Sequence, residues 1–149
     1  MLTADMKQLI KEFSIGYVAT VNADGTPNLS PKATMVAVDE RHIAFGNLRS
    51  PQTVNNIVAR PAVELNFIDV FARKGYRFRG VAVYVERGES RFVDLLPHFS
   101  GWGFALTDHF HGIVVVAVNE ARPLISPAYD HGANEETLRA EWKQKYLDA

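Results

Sequence analysis

The sequence predicts a mainly β protein, a β-barrel with flanking helices. Two observations carry that prediction. About six short stretches alternate in polarity or run continuously apolar, and turn signals such as Asn22-Ala23-Asp24-Gly25 and Asp39-Glu40-Arg41 separate them. Helical periodicity is confined to a few short segments, which belong at the rim of such a barrel.

Composition bounds the rest. A chain of 149 residues fits one domain, 1–149, large enough to bury roughly 68–70% of its unfolded surface. Hydrophobic content of 47% and charged content of 22% are ordinary for a globular protein. A formal net charge of -1 gives no field for drawing in nucleic acid. With no cysteine there is no disulfide framework, zinc–thiolate site or thiol nucleophile. No signal peptide and no membrane span are recognisable, so the expected location is cytoplasmic.

Thr3 is placed to cap a helix in which Met6, Leu9, Ile10 and Phe13 recur at helical spacing, with Asp5 in its first turn. This helix is expected to cover one end of the sheet or barrel. Residues 14–22 alternate, Ile15, Tyr17, Ala19 and Val21 sharing a face, and the turn at 22–25 makes a hairpin with the next strand. In residues 28–38 the even positions Asn28, Ser30, Lys32 and Thr34 form a polar face. Leu29, Ala33, Met35 and Ala37 form an apolar one. A polar face is normal for a solvated strand, but a lysine and hydroxyls aimed beside a helix N-terminus are also what a phosphate-bearing ligand needs. Pro31 lacks a backbone donor, which puts this strand at a sheet edge or gives it a bulge.

A strand with Ile43, Phe45 and Asn47 on one face then feeds a tight corner, Gly46-Asn47-Leu48-Arg49-Ser50-Pro51-Gln52-Thr53. Ser50 is a good N-cap and Pro51 suits the first helical position. The helix start presents free N–H groups and a partial positive charge, which favour a phosphate. Arg49 and the hydroxyls of Ser50 and Thr53 sit in that opening. Lys32 and its neighbouring hydroxyls are the complementary strand side chains.

Further on, residues 62–70 form a strand with Val63, Leu65 and Phe67 inward. Residues 76–85 form another, with Arg77 and Arg79 on one face and a bend at Gly80. A short helix at 89–96 turns Phe92, Leu95 and Leu96 inward. The loop at 97–104 is rich in glycine and aromatics, and Trp102 is its candidate for stacking on a planar ligand or packing at an interface. His109-Phe110-His111 puts two imidazoles on one face of a strand. That pattern can ligate metal or haem iron, but no third ligand is evident and no metal is expected. Residues 113–118 are almost continuously apolar, so both sides of that strand are buried. Asn134 caps a final helix with a Leu138, Trp142, Tyr146 stripe.

The run from Ala19 through Asp24-Gly25-Thr26-Pro27-Asn28-Leu29-Ser30-Pro31 to Lys32 resembles the pyridoxamine 5′-phosphate oxidase-like family. So do Asn47-Leu48-Arg49-Ser50-Pro51-Gln52-Thr53, then Asn56-Ile57 and Arg60-Pro61, and Gly75-Tyr76-Arg77-Phe78-Arg79-Gly80. The resemblance covers about residues 13–85 in order, with a weaker continuation to 113–118. It implies an FMN-binding split β-barrel and a homodimer with FMN at the subunit interface. Carried over residue by residue, Ser30, Lys32, Asn47, Arg49, Ser50, Gln52 and Thr53 would contact the cofactor, mostly at its phosphate and ribityl chain. Strand backbone at Pro31, Lys32, Ala33 and Thr34 would face the isoalloxazine edge, and Trp102 is the flavin-side candidate. The family's better-known oxidases place an Arg-Lys pair where this chain has Pro51 and Gln52, which shifts the phosphate's charge partners to Lys32 and Arg49. No catalytic triad or carboxylate pair is recognisable, so no catalytic residue is assigned. The expected function is an FMN-dependent oxidoreductase acting on a small molecule. The alternatives are a non-catalytic FMN carrier or sensor, or a split barrel holding haem or a deazaflavin.

Overall fold

The computed structural model describes residues 1–149. Its strands are β1 (Gly16–Val21), β2 (Pro27–Lys32), β3 (Val36–Ala37), β4 (His42–Asn47), β5 (Ala62–Asp69), β6 (Lys74–Glu86) and β7 (Gly112–Ile125). They form one antiparallel sheet in the order β2-β1-β5-β6-β7-β4-β3. The two edge strands, β2 and β3, are consecutive in the chain and only residues 33–35 separate them. So short a link forces the edges together, and the sheet curls into a barrel left open along one seam. At that seam the Thr34 hydroxyl accepts the Gly46 N–H at 3.0 Å, tying the link to β4. The fold is a split β-barrel.

Alternation fills the barrel. Val18, Ile43, Phe45, Leu65, Phe67, Phe78, Val114 and Val116 point inward, and Ile10 and Ile57 close the core from helices α1 (Ala4–Glu12) and α2 (Pro51–Ala59). Each such aliphatic or aromatic side chain contributes about 1.5–3 kcal/mol by leaving water. A second layer packs outside β4 and β7. Helix α3 (Ser90–Leu95), a 3₁₀ segment Leu96–Trp102 and helix α4 (Phe104–Thr107) carry Phe92, Leu95 and Phe99 against Ala44, Ile113 and Val115. The continuous apolar run of β7 therefore has two buried faces, both within this chain. Helix α5 (Glu135–Leu147) docks on the turn between β5 and β6, through Tyr146 against Phe71 and Arg139 to Asp69 at 2.6 Å. No helix is long and apolar enough to cross a membrane.

Most expected elements are present. The Thr3 and Asn134 caps form, each side chain accepting an amide three residues on. β2 is an edge strand, as Pro31 requires. A register shift falls between Arg79 and Gly80, where a Cβ on Gly80 would meet the Ala117 carbonyl oxygen at 2.2 Å. Three expectations need correction, and the open question of the polar face is answered. The stretch 28–38 is two strands, broken at the seam. The polar face of β2 turns inward beneath α2 together with Thr20 of β1, and the apolar side chains Tyr17 and Leu29 are exposed, because α2 brings a polar flank. Residues 97–102 are a 3₁₀ helix rather than a loop. His109 and His111 lie in the turn before β7, both exposed, with Phe110 buried between them.

Candidate functional site

The inward polar face of β2 meets the start of α2. Lys32 Nζ donates to Ser50 Oγ at 2.7 Å and to Ser30 Oγ at 2.9 Å. Lys32 is only 8% exposed, and no carboxylate pairs with it. Burial alone pushes its ammonium below the usual lysine range. A buried charge without a counter-ion is costly unless an anion joins it.

The helix beside it is open to such an anion. Ser50 occupies the N-cap but makes no capping bond, its hydroxyl being turned to Lys32. Pro51 has no N–H, and no group of the chain accepts the Gln52 and Thr53 amides. Two free amides at the positive end of a helix, an ammonium and hydroxyls make a donor set for a phosphate monoester. Arg49 is exposed at the mouth of this corner, and Thr53 is buried within the first turn.

Asn47 ends β4, three residues before Ser50. It is buried, its amide donates to the Tyr84 hydroxyl at 2.9 Å, and its Oδ1 has no partner. An orphaned buried acceptor fits a ligand that also offers a hydroxyl.

A polar network fixes α2 relative to β1. Asn56 donates to Thr20 Oγ1 at 2.9 Å and Asn22 Oδ1 at 2.8 Å, and accepts from Gln52 at 3.0 Å and Arg60 at 3.3 Å. Gln52 also reaches Asn22 at 3.2 Å, so its side chain turns away from Lys32. Pro31 and Ala33 are exposed at the seam, and Thr34 is buried and bonded to β4. Trp102 is half-buried against Phe99 and lines a separate cavity with α1 and β3. The fold thus joins Ser30, Lys32 and Ser50 directly and sets Arg49, Asn47 and Thr53 beside them in sequence. Tyr84 and the positioning role of Asn56 escaped the sequence. The available signal was Asn56 itself, which shares the buried helix face of Thr53 and Ile57. No group of three or more His, Asp or Glu side chains is arranged to hold a metal ion.

A family model for pyridoxamine 5′-phosphate oxidase matches residues 2–108. The chain belongs to that family. Among solved structures, the family member is similar to tagged HupZ from Group A Streptococcus, at 28% identity and a TM-score of 0.72, over 85% of this chain and 96% of that one. A candidate pyridoxamine 5′-phosphate oxidase from Lactobacillus delbrueckii is 25% identical with a TM-score of 0.68, over 81% and 93% of the two chains. An FMN-binding protein from Syntrophomonas wolfei shares the fold at 13% identity and a TM-score of 0.66, over 82% and 85%. No curated protein matches the chain.

Proposed function

We propose that this protein is an FMN-dependent oxidoreductase that acts on a small molecule, working in the cytoplasm as a homodimer of single-domain chains with FMN at the subunit interface. The observation that carries this reading is Lys32, a buried ammonium with no acidic partner beside an uncapped helix start. In a family built around a flavin phosphate, that vacancy of charge matches the phosphate of FMN. Ser30, Lys32, Ser50 and the Gln52 and Thr53 amides hold the phosphate, Arg49 screens it from outside, and Asn47 receives a ribityl hydroxyl. The seam backbone from Pro31 to Thr34 borders the ring.

Bound FMN supplies the hydride and electron transfer. The chain binds and orients. The hydrogen bonds of the corner run among an ammonium, hydroxyls, an amide and backbone, with no carboxylate or imidazole, and no catalytic role is assigned to these residues. The dimer reading rests on the outer face of β1 and β2, where Tyr17, Val21 and Leu29 are exposed on adjoining strands, with Ile15 exposed just before β1. That apolar face gives way to charge across β5 and β6, at Glu64 and Arg79.

The test is the absorption spectrum of the purified protein before and after adding FMN and desalting. Retained bands near ~375 and ~450 nm establish a flavoprotein. FMN that washes through removes the reading, and a Soret band would put haem in its place. Reduction of retained flavin by NAD(P)H then separates a reductase from a passive FMN carrier.

A further inference from the structure

A second cavity, of about 550 Å³, opens between α1, β3 and the 3₁₀ segment. It does not include Lys32 or Ser50. Its floor is apolar, made by Ile10, Met35, Val36 and Ala37, with the half-buried Trp102 as one wall. Its size lies within the range of small-molecule sites.

The polar side chains at the rim of this floor are exposed or half-buried and mostly free of partners within the chain. Lys11, Ser14 and His98 line the cavity and make no hydrogen bond or ion pair within the chain, and no group accepts the Trp102 indole N–H. Lys7 is the exception, being paired with Glu40. Lys7, Ile10 and Lys11 fall on one face of α1 at spacings of three and four, and Ser14, just past the end of the helix, lines the same cavity. An apolar slot with an indole wall accepts a flat ring, and a rim of unpaired donors accepts a carboxylate.

We propose that this cavity binds a planar aromatic carboxylate, its ring against Trp102 and its anion at Lys11, Ser14 and His98. The cavity does not include the Lys32 corner, and its test needs no cofactor.

The probe is 4-nitrobenzoate, with 4-nitrobenzamide as its neutral counterpart of nearly the same shape. Both quench indole fluorescence. In the Trp142→Phe protein Trp102 is the only tryptophan, so its emission reports this cavity alone. The expected result is saturable quenching by 4-nitrobenzoate with at least about tenfold weaker binding of the amide. Lys11→Met, a change on the exposed surface of α1, is expected to weaken the carboxylate severalfold and leave the amide unchanged. Inorganic phosphate at millimolar concentration should not compete. Linear, unsaturable quenching that is equal for both compounds overturns the proposal. So does an unaltered response in Lys11→Met, and so does displacement by phosphate, which would place the probe in the Lys32 corner.

Discussion

Lys32 Nζ lies 2.7 Å from Ser50 Oγ, joining the end of an edge strand to the first turn of α2. This bond spends the N-cap hydroxyl on a lysine and leaves the helix amides free. Such an arrangement weakens the ligand-free fold and strengthens anion binding, so one substitution should move the two properties in opposite directions. Lys32→Met keeps the length and apolar stem and deletes the charge. We expect it to weaken FMN by about 1.5–3 kcal/mol, the usual range for a charge-assisted hydrogen bond. The melting temperature of the ligand-free protein should hold or rise, because an uncompensated buried ammonium has gone. Fluorescence titration of FMN and thermal unfolding read the two effects, and unchanged affinity would remove Lys32 from the site. Arg49→Ala, at an exposed position, should cost no more than about 1 kcal/mol and lose its effect in high salt.

The same lysine sets a pH dependence. Its folded value lies below the ordinary 10.5 because burial disfavours the charged form. Below the folded value, Lys32 is protonated in folded and unfolded chains alike and its full penalty is present. As pH rises from there towards 10.5 the unfolded chain holds the proton more than the folded one, so stability rises. Above 10.5 the penalty is gone. The wild-type protein should therefore gain stability relative to Lys32→Met across this alkaline window, while its affinity for FMN falls. Denaturant midpoints and FMN titrations at matched ionic strength check both, and parallel pH profiles for the two proteins would contradict the assignment.

The inversion of β1 and β2 gives a third expectation. Leu29 is 66% exposed and Tyr17 46%, while Lys32 and Thr20 of the same hairpin are buried. Adjoining exposed apolar side chains of this kind mark an interaction surface. If the proposed homodimer uses this face, Leu29→Asp should give a folded monomer that does not retain FMN, as measured by sedimentation and by the flavin spectrum after desalting. A wild-type monomer that retains FMN would defeat the interface reading.

This hairpin also marks where the sequence stops being legible. Alternation correctly separates Tyr17 and Leu29 from Lys32 and Thr20, because side chains on a strand alternate whatever the tertiary context. It does not say which face is inside. Apolar residues usually take the inner face, and here α2 overrides that preference with Asn56 and Gln52, whose partners are Thr20 and Asn22. The barrel core was readable at Val63, Leu65 and Phe67 for the opposite reason, since nothing polar competes for that face. Likewise Ser50, Pro51 and the start of α2 follow from local propensity, but the diversion of the Ser50 hydroxyl to Lys32 is a contact across the fold. The pairing of Asn47 with Tyr84 is another, and no periodicity encodes it.

Gly80 offers a test of the barrel itself. Sequence placed a bend there, and the register of β6 against β7 shifts between Arg79 and Gly80, so the long strand turns the corner that brings β7 beside β4. A Cβ at this position would stand 2.2 Å from the Ala117 carbonyl oxygen and 3.0 Å from the Val116 side chain. The nearer atom is backbone, held by the ladder to β6, and cannot swing aside as a side-chain tip could. Gly80→Ala must therefore shift one strand past the other, at a cost of about 1–3 kcal/mol. Because Val116 packs in the barrel core, the loss should appear as a lower denaturant midpoint with little change in slope. Lys32, Ser30 and Ser50 lie on β2 and at the start of α2, away from this bulge, so FMN affinity in the folded variant should stay within a few fold of wild type. A Gly80→Ala protein as stable as wild type would mean that the corner relaxes without strain and that the bulge does not depend on glycine.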